Sequence, residues 1–215
     1  AMVSIAHPDY RESLFRAAQK MGQLAQNLSL SESLQGVYPV HLEETLMFGE
    51  DEVTLRPAKP VDERRLQEHF YNLDEEDVIS RFLHAKSRFN REEIADLSQT
   101  DFVNDLTMVA VVGEFGFSRV IGVGEYVFDP AKDLAEVAFS VSSDFQGKGL
   151  GKMLMKKLCQ AARENGIAGL IAYVSPRNTA MVRLFNSVRY RVQTVYDGDL
   201  LELSCRFDEP VGSSS

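Results

Sequence analysis

Hydrophobic and polar positions change period several times along this chain, and each change marks a new element. Tyr10, Leu14, Ala17, Met21, Leu24 and Leu28 recur at helical spacing and form the stripe of an amphipathic helix, with His7-Pro8-Asp9 as its start. Residues 29–50 lose that period, contain Gly36, Pro39 and Gly49, and read as a linker. A mixed pattern follows: a strand over 53–56, a helix from Pro60-Val61-Asp62 to about Asn72, and short helices over 75–84 and 91–98. Residues 107–112 and 119–128 read as strands around a turn near Gly116. In the next strand, over 135–141, Val137, Phe139 and Val141 alternate onto one face. A helix over 152–165, a buried strand over 169–174, a helix opened by residues 176–185 and a hairpin at Tyr196-Asp197-Gly198-Asp199 complete the order. The expected architecture is α/β, a central mixed sheet flanked by helices. Its expected parts are an amphipathic helix over 1–28, a linker over 29–50, a domain over 51–209 and a frayed end over 210–215.

At 215 residues the chain has room for one good core. Its net charge of −9 argues against nonspecific nucleic-acid binding, which depends on basic surface. Lys148, Lys152, Lys156 and Lys157 form one compact basic cluster, in which Lys156 and Lys157 read as a solvated helix face. Cys159 and Cys205 lack metal-type spacing, Cys159 reads as a small buried thiol, and no metal is expected. Apolar runs such as 108–112 are strand-sized, and no signal peptide opens the chain. A cytoplasmic protein with no membrane partner is the expectation.

The most informative stretch is Gln146-Gly147-Lys148-Gly149-Leu150-Gly151, between a strand and a helix. A glycine-rich turn that opens a helix directs free backbone N–H groups and the positive end of the helix dipole at one point. Lys148 and Lys152 add charge there, and together these features form a pyrophosphate cradle. The spacing matches neither the dinucleotide fingerprint G-x-G-x-x-G nor the P-loop, because within this loop no lysine is followed by Ser or Thr.

The Q-x-x-G-x-G spacing resembles the acyl-CoA-binding loop of the GNAT N-acetyltransferase superfamily, and the order of elements around it is similar over about residues 53–207. The resemblance implies acyl transfer from acetyl-CoA to an amine. It also implies that Phe139, Val141, Gln146, Gly147, Lys148, Gly149, Gly151, Lys152, Asn178 and Phe185 contact the cosubstrate. Asn178 is equally a good helix N-cap. The acceptor amine must be neutral to attack, and a lysine amine of pKa about 10.4 is protonated at pH 7, so a general base is required. Glu136, on the strand before the loop, is the leading candidate, and Glu125 on the preceding strand is the second. The superfamily's usual proton-donating tyrosine is replaced by Phe185, which leaves Tyr173 and Tyr190 as substitutes.

Within the superfamily, the run Leu55-Arg56-Pro57-Ala58-Lys59-Pro60 with Asp62, Arg81-Phe82 and the 135–139 strand are similar to bacterial protein lysine acetyltransferases. The implied acceptor is a protein lysine, with a small amine as the main variant. Residues 5–12, Ile5-Ala6-His7-Pro8-Asp9-Tyr10-Arg11-Glu12, resemble the C-terminal tail of the acetyl-CoA hydrolase/CoA-transferase family, which implies an upstream CoA-transferase-like domain. That reading brings a second function into view, an acetyl-CoA-sensing regulatory domain without catalysis.

Overall fold

The computed structural model describes residues 8–23, 30, 35–82, 91–114 and 117–211. Eight strands form one sheet in the order β1-β2-β3-β4-β5-β6-β8-β7. They are β1 (Glu44–Phe48), β2 (Asp51–Pro57), β3 (Asp105–Val112), β4 (Arg119–Asp129), β5 (Leu134–Val141), β6 (Gly169–Val174), β7 (Tyr190–Asp197) and β8 (Leu200–Pro210). Every pairing is antiparallel except β5 with β6. The six helices described are α1 (Pro8–Lys20), α2 (Glu63–Tyr71), α3 (Glu75–Phe82), α4 (Arg91–Ser98), α5 (Leu150–Glu164) and α6 (Thr179–Phe185).

Alternation along the strands separates two cores. On one face Met108, Ala110, Tyr126 and Val137 pack with Leu150, Leu154 and Leu158 of α5. On the other, Val109 and Val123 meet Leu66 and Phe70 of α2, Val78 of α3 and Ile94 of α4. Burying one such leucine or phenylalanine contributes about 1.5–3 kcal/mol, so both layers stabilise the sheet substantially. An ion pair ties β2 to the start of α2: Arg56 donates from both terminal nitrogens to Asp62, at 2.6 and 2.8 Å, and Asp62 is fully buried. Burial pushes the Asp62 carboxyl up, but the bonds from Arg56 and the Lys59 N–H, with the Arg56 and Arg65 charges, hold it below the usual carboxylate range.

Three expectations are corrected. The 29–50 linker contains β1, whose half-buried Leu46 and Phe48 pack against the core, and Gly49 serves the turn into β2. In α1 the residue turned inward is Phe15, 4% exposed, while Tyr10, Leu14 and Met21 of the expected stripe face outward; Leu24 and Leu28 lie outside the described residues. Lys157 does not belong to a solvated face. It is buried and its ammonium pairs with Glu44 at 2.7 Å, which docks β1 onto α5. Gly116 and residues 83–84 also lie outside the described residues.

The feature that positions the site is the break between β5 and β6. They pair only at Ala135–Leu170 and Glu136–Ile171, then part. From Val137 onward the β6-facing edge of β5 borders a gap.

Candidate functional site

The gap widens into a cavity of about 720 Å³, lined by the second half of β5, the loop after it, the start of α5, the end of β6, α6 and one face of α3. The Gln146–Gly151 loop forms one end of it. Gly147 and Gly149 have φ of 71° and 94°, in the left-handed region where a side chain is disfavoured, and the turn depends on both. The Gln146 side chain braces the loop by donating to the Val141 carbonyl at 3.0 Å and to Asp77 of α3 at 2.8 Å. The Met153 N–H bonds to the Gly149 carbonyl at 3.3 Å as α5 begins. The amides of Leu150, Gly151 and Lys152 precede that bond and have no intrahelical acceptor. Lys148 lies over the Phe145 ring at 5.1 Å, and both Lys148 and Lys152 are exposed beside these amides. Free donors, dipole and two cations meet at one place, the requirement for holding a pyrophosphate.

Of the residues expected to hold the cosubstrate, Phe139 and Val141 line the strand side of the cavity, and Gln146, Gly147, Lys148, Gly149, Gly151 and Lys152 line its loop end. Gly124 makes room for Phe139, since a Cβ there would stand 2.9 Å from the ring. Asn178 lines the opposite wall and also caps α6, its side-chain oxygen accepting from the Met181 N–H at 2.9 Å. Phe185 is placed elsewhere. It is fully buried in the core on the α5 side and does not line the cavity, because its face of α6 packs inward.

The two carboxylates differ sharply. Glu136 is exposed on β5, in register with Val127 and Ile171, and does not line the cavity. Glu125 on β4 stands in register with Ala138, which does line it. Its carboxylate accepts from Arg81 of α3, and the two side chains are only 16% and 9% exposed. One Glu125 oxygen, Oε2, and the Arg81 Nε are buried with no hydrogen-bond partner among the described residues. Arg81 itself lines the cavity, as does Asp77 one turn before it.

Nearby, His69 of α2 is hydrogen-bonded to the Ser140 hydroxyl of β5 at 2.9 Å. Burial pushes the imidazole down to about 4, against the raising effect of its Val120 bond, so it is neutral at pH 7. Asp77 and Tyr173 both stand on the cavity wall; the sequence pattern does not mark Asp77, and Tyr173 enters it only as a substitute proton donor. The detectable signal for α3 is the i,i+4 spacing of Asp77 and Arg81. A larger groove, about 1060 Å³, runs along the outer side of α5 past Lys156, Arg163 and Arg189 but includes none of the loop glycines.

Residues 63–188 match the Acetyltransferase (GNAT) family. The chain belongs to the GNAT acetyltransferase family. An acetyltransferase of Pseudomonas aeruginosa is 30% identical over 156 residues, which cover 73% of this chain and 83% of that protein. Acetyltransferase Pat of Mycolicibacterium smegmatis is 29% identical over 133 residues, 61% of this chain, and the match spans only 39% of Pat. The solved GNAT domain of S. lividans PAT superposes with a TM-score of 0.70 at 26% identity, covering 79% of this chain and 99% of that domain. The GNAT fold and acyl-CoA-dependent acyltransferase chemistry follow from family membership. Among the described residues no group of His, Cys, Asp and Glu is arranged to hold a metal, and no helix is long and apolar enough to cross a membrane.

Proposed function

We propose that this GNAT domain transfers an acetyl group from acetyl-CoA to the side-chain amine of a protein lysine, with a small amine as the alternative acceptor. One observation carries the reading: a single cavity has an anion cradle at one end and, behind its wall toward the other, a half-buried carboxylate with one buried oxygen lacking a partner. The similarity to Pat and PAT, both at modest identity, favours a protein lysine over other amines.

In this reading acetyl-CoA supplies the thioester, and the chain supplies position and proton transfer. The 147–152 amides with Lys148 and Lys152 hold the pyrophosphate. The free edge of β5 from Val137 to Val141, with Asn178 across the gap, orients the pantetheine arm. Glu125 is preferred to Glu136 as general base because it stands behind the cavity wall with an oxygen lacking a partner, whereas Glu136 faces solvent off the wall. Taking the ammonium proton leaves a neutral amine able to attack, a contribution typically worth 10²–10⁴-fold. The resemblance of residues 5–12 to a CoA-transferase tail adds the proposal of an upstream CoA-transferase-like domain in the full-length protein.

The test is acceptor-dependent CoA release from acetyl-CoA with a lysine peptide panel, read beside mass spectrometry of the peptides. A mass gain of one acetyl group on lysine supports the proposal. CoA release only with small amines transfers the role to the alternative acceptor, and no release with any amine refutes catalysis by this domain.

A further inference from the structure

Acyl transfer from a thioester leaves a sulfur that must be protonated or stabilised, and Phe185, fully buried and without a proton to give, cannot serve it. Tyr190 is also misplaced, because its ring packs at a tilt against Phe207, 5.0 Å between centroids, and lines the groove outside α5. Tyr173 is placed differently. It lies on β6 two residues past the last pairing, Ile171 with Glu136, where the strands have parted, and it lines the same cavity as Ala138, which is two residues past Glu136 on β5. The far end of the cavity from the phosphate cradle is this closed end of the gap. A pantetheine arm running from the cradle along β5 therefore carries its sulfur toward Tyr173.

The second observation is Lys132, from the turn between β4 and β5. Its ammonium donates to the Tyr173 hydroxyl oxygen and lies 4.9 Å from the ring centroid. An ammonium has no lone pair to accept the phenolic proton, so that proton is free for another acceptor. The same positive charge is in place to stabilise a phenolate. Charged neighbours of Lys132 include Asp129 on β4 and Glu202, which stands in register with Tyr173 on β8.

We propose that Tyr173, held by Lys132, is the proton donor to the departing CoA sulfur, a catalytic role moved from helix α6 to strand β6 in this chain. The inference rests on the acyl-CoA reading of the cavity. The new C–N bond forms as the C–S bond breaks, the sulfur takes the Tyr173 proton, and the phenolate held by Lys132 is reprotonated from solvent. The acceptor gives one ammonium proton to Glu125 before it attacks, and the second, carried by the nitrogen once the C–N bond has formed, passes to solvent.

Calorimetric binding of CoA and of desulfo-CoA, which lacks the thiol, tests this without turnover. The experiment is run at pH 9, above the thiol pKa of about 8.5, on wild type, Tyr173→Phe and Lys132→Met. A hydrogen bond from Tyr173 to the thiolate makes wild type prefer CoA, and the preference shrinks roughly 10-fold in Tyr173→Phe while desulfo-CoA affinity is unchanged. Lys132→Met shows a smaller loss in the same direction. In turnover, Tyr173→Phe lowers kcat about 10²-fold with KM for acetyl-CoA retained. An equal preference in wild type and Tyr173→Phe overturns the assignment even where CoA binds well. Failure of wild type to bind either ligand refutes the acyl-CoA reading itself, and the assignment with it. Thermal melts of the three proteins verify that each is folded.

Discussion

Replacing Glu125 by Gln separates the two carboxylates decisively. The change keeps the shape of the side chain and an acceptor for Arg81 but removes the basic oxygen. Losing a general base lowers kcat about 100- to 10,000-fold, equivalent to about 3–5 kcal/mol of barrier. The stability cost is distinct and smaller. Arg81, 9% exposed, keeps a hydrogen-bonded neighbour but loses its counter-charge, a cost of about 1–3 kcal/mol against a total of about 5–15 kcal/mol. The variant therefore remains folded at 25 °C and can be assayed. Glu136→Gln, at an exposed site off the cavity wall, changes kcat less than about 3-fold and stability by less than about 0.5 kcal/mol. The assay is steady-state CoA release with a lysine peptide, beside acetyl-CoA titration and urea unfolding of each protein. Near-wild-type turnover in Glu125→Gln, or a large loss confined to Glu136→Gln, refutes the assignment of the base.

Three further outcomes follow from packing and charge. Asp62→Asn deprives two guanidiniums, Arg56 (14% exposed) and Arg65, of a fully buried shared counter-charge and destabilises by about 3–5 kcal/mol in urea unfolding, whereas Arg64→Ala in the exposed Arg64–Glu68 pair costs under about 1 kcal/mol. Because the folded Asp62 pKa lies below its ordinary 3.8, its contribution is complete above that pH and is lost as pH falls through the lower folded value, so wild type and Asp62→Asn converge in acid; a constant gap between pH 6 and pH 2 contradicts this. Cys159, whose thiol burial pushes up to about 12, reacts with a disulfide reagent at pH 8 roughly 10³-fold more slowly than a free cysteine, and rapid labelling of the native protein counts against its packing. Gly124→Ala forces the Phe139 ring off its position, which lies 2.9 Å from a Cβ there, costs about 1–3 kcal/mol and weakens acetyl-CoA binding; unchanged stability and affinity show that the wall yields freely.

The sheet from β2 onward, α5 and the final hairpin were legible in the sequence because their apolar period and turn residues agree. The loop glycines were equally legible, since Gly147 and Gly149 adopt left-handed φ that few other residues accept. Strand β1 was hidden because five residues with Gly49 at their end look like a linker until a partner strand is known. The inward face of α1 was misread for a related reason: a short helix with scattered apolar residues offers several faces, and the choice of Phe15 over the Tyr10–Leu14 side is made by packing. Family membership supported the cosubstrate, but the positions of the carboxylates depended on side-chain direction across β4 and β5. The sequence ranks Glu136 ahead of Glu125, and reversing that order needs the sheet register and the position of α3. The Arg81 partner of Glu125 lies 44 residues away along the chain, and no local pattern reports it.

In the proposed function the gap between β5 and β6, bounded at one end by the 146–151 loop, holds acetyl-CoA. Calorimetric titration of the protein with acetyl-CoA, beside Gly149→Asp, tests it most directly. Gly149 has a φ of 94° and stands at the mouth of the cradle, so aspartate there adds backbone strain of about 1–2 kcal/mol and a negative charge facing the phosphates. The expected result is saturable one-to-one binding by the wild type and a loss of at least about 10-fold in the variant, with the fold retained by circular dichroism. Binding of equal strength in both proteins, or none in the wild type, contradicts it.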